Sequence, residues 1–178
     1  MLLFLGERTT PLAPRDAAIQ GLTIAAQNWH RRHDPVDETR GYWFGELALT
    51  KWCEDLGMYD TLSDQEREKL FFVSWWNFDA LEDARKAAVV FLRSHADLLE
   101  EEAAGALQRA AGLFQQEGDL LGSAFGRKDA FLGPWTGKSI TDWTSEVRQR
   151  EQKMLAQART LEAAAIAAIE KALAVIAG

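Results

Sequence analysis

The stretch from Ser63 to Phe91 constrains the fold more than any other part of the chain. Ser63 followed three positions later by Glu66 is a capping box, which satisfies orphan amides at a helix start. Behind it come Leu70-Phe71-Phe72-Val73 and Trp75-Trp76, then Ala80, Leu81, Ala84, Ala87, Ala88 and Phe91 at helical spacing. For two turns this helix is apolar on nearly every face, which predicts a central position in a helical bundle.

The rest of the sequence supplies helices to surround it. Pro14 and Asp16 suit a first turn, and Ala18, Leu22, Ala25, Ala26 and Trp29 carry a helix over about residues 15–32, ended by His33-Asp34-Pro35. Gly41 opens a second helix to Gly57, with Phe44, Leu47, Ala48 and Trp52 or Cys53 facing inward. A break is expected near Ser94-His95. A fourth helix then carries Leu99, Ala103, Ala106, Ala110, Leu113, Leu120 and Ala124, with Gly105, Gly112, Gly118 and Gly122 marking close packing or a kink. Residues 126–140 read as a loop. Ser139 or Thr141 caps a last helix reaching about Ile176, along which Val147, Met154, Leu161 and Ala165 repeat at near-heptad spacing. Residues 1–13, with apolar Leu2 to Leu5 and a turn-rich Thr9 to Pro14, read as an extended arm or remnant strand, and residues 14–178 as the bundle. The expected fold is all-α: a mostly antiparallel bundle of about five main helices with a short N-terminal extended arm.

At 178 residues, one core of this kind needs neither metal nor disulfide to be stable. A single cysteine, Cys53, forms no internal disulfide, so a cytoplasmic setting is expected. A formal charge of −7 repels phosphate backbones and anionic lipid, so neither nucleic acid nor membrane is expected as a partner. No run approaches the roughly 18 to 20 apolar residues that span a bilayer.

Catalytic patterns are missing where their chemistry requires them. Di-metal bundles use Glu-x-x-His pairs, whereas the residues three before His30, His33 and His95 are Gln27, His30 and Leu92. Gly137-Lys138-Ser139 has the wrong glycine spacing for a phosphate-binding loop and no preceding buried strand. Cys53 has no histidine close in sequence and reads as a buried thiol. Asp97, Glu100, Glu101 and Glu102 read as a solvated first turn. No metal or cofactor is expected.

The informative segment runs from Trp75 to Arg85. Helical spacing puts Asn77, Leu81 and Arg85 in one row and Trp75, Phe78 and Glu82 in the next, so polar groups flank an aromatic wall to which Trp52 and Trp76 also belong. A buried Arg85 or Glu82 needs partners from other helices, with Glu46, Arg148 and Glu162 the candidates. Two readings follow: a polar network that sets helix register, or a pocket in which tryptophan faces clamp a flat or cationic small molecule while Asn77, Glu82 and Arg85 orient it.

Spaced residues across the chain resemble a known arrangement. They are Tyr42-x-Phe44-Gly45-x-x-Ala48-x-x-x-Trp52-x-x-Asp55-Leu56, Trp76 with Asp83-Ala84-Arg85-x-Ala87-Ala88, Trp143-x-x-x-Val147-Arg148, and Glu162-x-x-Ala165-Ile166-x-x-Ile169-Glu170. Together these are similar to the helical C-terminal domain of uncharacterised bacterial and archaeal proteins whose N-terminal part resembles the cysteine-peptidase-like domain of the butirosin-biosynthesis acyltransferase. The resemblance implies an accessory or ligand-binding domain, with any nucleophilic cysteine in the other domain and Leu2 to Leu5 matching its last strand. The expected function is non-catalytic small-molecule binding or an accessory role. The alternatives are a structural or homodimerising module, and a helical enzyme using Glu46, Glu82 or Glu162 as an acid or base.

Overall fold

The computed structural model describes residues 12–35, 41–125 and 139–178. Helix α1 spans Pro14–His30, and a two-stranded antiparallel hairpin of β1 (His33–Pro35) and β2 (Gly41–Trp43) leads into α2 (Gly45–Gly57). A 3₁₀ turn, Tyr59–Thr61, precedes α3 (Asp64–Ala96). Helix α4 is Glu101–Phe125, and a second 3₁₀ turn, Ile140–Asp142, precedes α5 (Ser145–Ala177). The fold is an all-α bundle, and no helix among the described residues is long and apolar enough to cross a membrane. The expected arm, most of the 126–140 loop and Gly137-Lys138 lie outside the described residues.

Cross-helix contacts fix the directions. Glu102 on α4 pairs with Lys171 on α5 while Glu117, further along α4, shares Arg85 with Glu162, earlier on α5, and Thr50 and Cys53 on α2 meet Arg159 and Gln152 on α5; rising numbers on one helix meet falling numbers on the other, so both pairings are antiparallel. Ser74 and Arg85 of α3 meet Glu151 and Glu162 of α5, rising together, so these two run parallel. Helix α5 touches all four other helices.

The Ser63 capping box forms as predicted, with Glu66 bonded to the Ser63 amide and the Ser63 hydroxyl accepting from the Glu66 amide. Four expectations are corrected. Helix α2 starts at Gly45, four residues late, because Gly41-Tyr42-Trp43 pairs with His33-Asp34-Pro35 and the His33 ring packs on Trp43 with centroids 4.2 Å apart. Helix α3 runs through Ser94-His95 to Ala96: the Ser94 hydroxyl donates to the Phe91 carbonyl, and the buried Ala96 anchors the last turn. Helix α3 is also less enclosed than its composition predicts, burying Phe71, Ser74, Trp75 and Phe78 while Phe72, Val73 and Trp76 stay exposed. Finally, Ser139 caps the short 3₁₀ turn together with Asp142, and Thr144 caps α5.

The inward face of α5 differs from the predicted heptad stripe. Val147, Met154 and Leu161 are only half-buried, and the buried line runs through Arg148, Glu151, Leu155, Ala158, Glu162, Ala165, Ile166 and Ile169. Reading apolar residues as inward misplaces the helix by about one position because three charged side chains occupy its interior line.

Candidate functional site

Two buried polar centres lie between α3 and α5. They sit eleven residues apart on each helix, so about 16 Å separates them along the bundle at 1.5 Å per residue.

The first is built on Glu151. Its Oε1 accepts from the Ser74 hydroxyl at 2.6 Å and its Oε2 from the Trp143 indole N–H at 3.0 Å, while the Trp52 indole N–H donates to Ser74 Oγ at 2.6 Å. Beside it, Arg148 Nη1 donates to the Trp143 carbonyl at 2.6 Å and Nη2 pairs with Asp60 Oδ1 at 3.2 Å, the guanidinium lying 3.7 Å from the Tyr59 ring centre. Burial pushes the Glu151 carboxyl up from its usual 4.5 to about 7, against the bonds from Ser74 and Trp143. Both carboxyl oxygens have protein donors, so this centre locks α3, α5 and the two 3₁₀ turns together and leaves no group free for a ligand.

The second centre is different. Arg85 of α3 bridges two acids: its Nε donates to Glu117 Oε1 of α4 at 2.9 Å, and its Nη2 lies 2.6 Å from Glu162 Oε2 of α5. Phe114 lies beneath the guanidinium, 5.3 Å from ring centre to Cζ. Glu117 is fully buried, and its Oε2 has no hydrogen-bond partner among the described residues. Burial raises the Glu117 carboxyl to about 7, opposed by Arg85, and raises Glu162 for the same reason. On α4, Gly118 faces the Arg85 stem and Gly122 faces the Glu82 carboxylate, so these two glycines serve close packing; Gly105 and Gly112 face open space.

Arg85 and Glu162 open onto a cleft of about 460 Å³ between α1, α3, α4 and α5. Leu22, Ala25, Asn28 and Trp29 of α1 line one side; Ala88, Phe91 and Leu92 of α3 line another, with Phe114 of α4 and Ile166 and Ile169 of α5 completing the walls. Phe44 and Gly45 close the end where the hairpin enters α2. Gly45 has φ +50°, and a β-carbon there would fall on the Trp29 backbone, so only glycine lets this corner seat against α1. Ala25 and Asn28 are exposed and mark the mouth.

The residues expected to form one site are therefore divided. Arg85 and Glu162 meet at the cleft, while Trp52 and Arg148 belong to the Glu151 centre. Trp75 is nearly buried and meets Trp76 edge-on, whereas Trp76 is 56% exposed and Asn77 also points outward, because α3 turns its inward face to residues 71, 74, 75 and 78. Glu82 pairs with Lys86 at 2.6 Å on the flank of α3. Glu46 is exposed in the first turn of α2 and does not reach Arg85. The aromatic walls of the cleft come from Trp29, Phe44, Phe91 and Phe114 instead of the indoles at 52, 75 and 76.

Sequence reasoning missed Glu117, Glu151 and Ser74. Glu117 falls seven residues after the buried Ala110, and Glu151 eleven before Glu162, both in buried rows. An acid at such a position is the available signal. Among the described residues no group of three or more His, Cys, Asp or Glu is placed to hold a metal ion. His30 pairs with Glu170 at 2.7 Å, and Cys53 is half-buried with its thiol held protonated by burial.

Compared with known proteins, the chain matches no family model, no curated protein and no solved structure.

Proposed function

We propose that the cleft binds a small organic molecule, its apolar body against Trp29, Phe91 and Phe114 and its polar end at the Arg85–Glu162 pair. The observation that carries this reading is the pairing of an apolar cavity with charge at its inner end. A volume of about 460 Å³ lies in the range of small-molecule pockets, roughly 300 to 1,000 Å³. Most of its wall is hydrocarbon, which supplies affinity, and the ion pair supplies orientation. The fully partnered Glu151 centre carries the architectural part of the design, so the Arg85 centre is not needed merely to set register.

Trp29 lines the cleft and reports on its occupancy. A metabolite library screened by tryptophan emission and thermal shift should give hits that change emission and raise the melting temperature together. Ala25→Phe, a change at an exposed mouth position, should abolish those hits while the protein stays folded. A library that leaves both readouts flat, or hits that survive Ala25→Phe, would remove the cleft from consideration.

A further inference from the structure

Resting on the binding reading above, we infer that the cleft selects a protonated amine carried on an apolar body. The inner end presents one guanidinium, Arg85, and one carboxyl group, Glu162, with Glu117 buried behind Arg85 outside the lining, and Arg85 is the sole basic residue among those lining the cleft. Its Nε and Nη2 are already engaged by Glu117 and Glu162. With both acids ionised the cluster carries a net charge of −1, so an incoming carboxylate or phosphate meets two like charges in a desolvated setting, whereas an ammonium group restores neutrality.

The hydrogen-bond inventory points the same way. Glu162 Oε2, on the cleft wall, lies 2.6 Å from Arg85 Nη2 yet accepts no hydrogen bond of good geometry, and Glu117 Oε2 behind it has no donor among the described residues, so the centre has an excess of acceptors. An ammonium group brings three donors and no acceptor, the complement of what is present. Trp29, Phe44, Phe91 and Phe114 add ring electron density, which attracts cations and does nothing comparable for anions. One further cation approaches from outside: Arg31 lies over the Phe44 ring, 4.4 Å from its centre. It is paired with Asp34, and so leaves the balance of the cleft unchanged.

Three probes of closely matched size separate charge from shape: 3-phenylpropylammonium, 3-phenylpropanoate and 3-phenylpropan-1-ol, titrated at pH 8 against the full chain by tryptophan emission and calorimetry. The amine should bind about tenfold more tightly than either of the others, a difference of about 1.4 kcal/mol. Glu162→Gln should bring amine affinity close to that of the alcohol while the alcohol's own affinity stays unchanged, with circular dichroism confirming the fold. Tighter binding of the carboxylate or the alcohol by the unmodified chain would overturn the assignment of an amine and leave the cleft as a binding site. Failure of all three at millimolar concentration would overturn both.

Discussion

At the Arg85 position one side chain neutralises acids from two other helices. Replacing it with methionine keeps the volume but leaves Glu117 and Glu162 facing each other without a counter-charge. Arg85→Met should therefore cost about 3 to 5 kcal/mol in urea unfolding at pH 8, and less at pH 5, below the value of about 7 to which burial raises Glu117. Asn77→Ala, on an exposed turn of the same helix, should change stability by no more than about 0.5 kcal/mol. That Arg85 needs an acid from another helix is readable from the sequence, since a charge in an apolar stripe demands a partner, but the choice of Glu162 over Glu46 is made only by the packing. Glu117 is not readable, because it sits beside two glycine-spaced turns that look like packing positions. The outward aim of Asn77 and Trp76 is hidden by a helix rich enough in apolar residues to fit several rotations.

Among the elements, the five helices follow from spacing and capping, and the hairpin does not. Gly41-Tyr42-Trp43 precedes a helical pattern without a break, and only pairing with His33-Asp34-Pro35 makes it a strand. That corner is the most demanding backbone in the described chain. Gly45→Ala should destabilise by more than about 2 kcal/mol, since it combines a positive φ with collision against the Trp29 main chain, and it should weaken ligand binding at the cleft as well. Gly105→Ala and Gly112→Ala, which meet nothing within 4 Å, should each stabilise α4 by about 0.5 to 1 kcal/mol. Denaturant melts of the three variants test the contrast.

For the whole molecule, the raised acids set the pH response. Glu151 and Glu117 bind protons up to about pH 7 when folded but release them near 4.5 when unfolded, so between those values the folded state holds more protons. Their contribution to stability is complete below about pH 4.5 and is lost as pH rises through 7. The melting temperature should fall from pH 5 to pH 8, in the direction that a net charge of −7 also favours. Glu151→Gln should flatten the slope, and melts at fixed ionic strength will show whether it does. Helix α5 supplies an acid to each polar centre, Glu151 to one and Glu162 to the other. During synthesis, then, Ser74 and Arg85 leave the ribosome some eighty residues ahead of their α5 partners, Glu151 and Glu162. The nascent chain must carry Ser74 and Arg85 without their α5 acids until α5 itself has emerged, Arg85 having only Glu117 of α4 in the interval, which makes cooperative folding wait for α5 and the growing chain a natural client for chaperones.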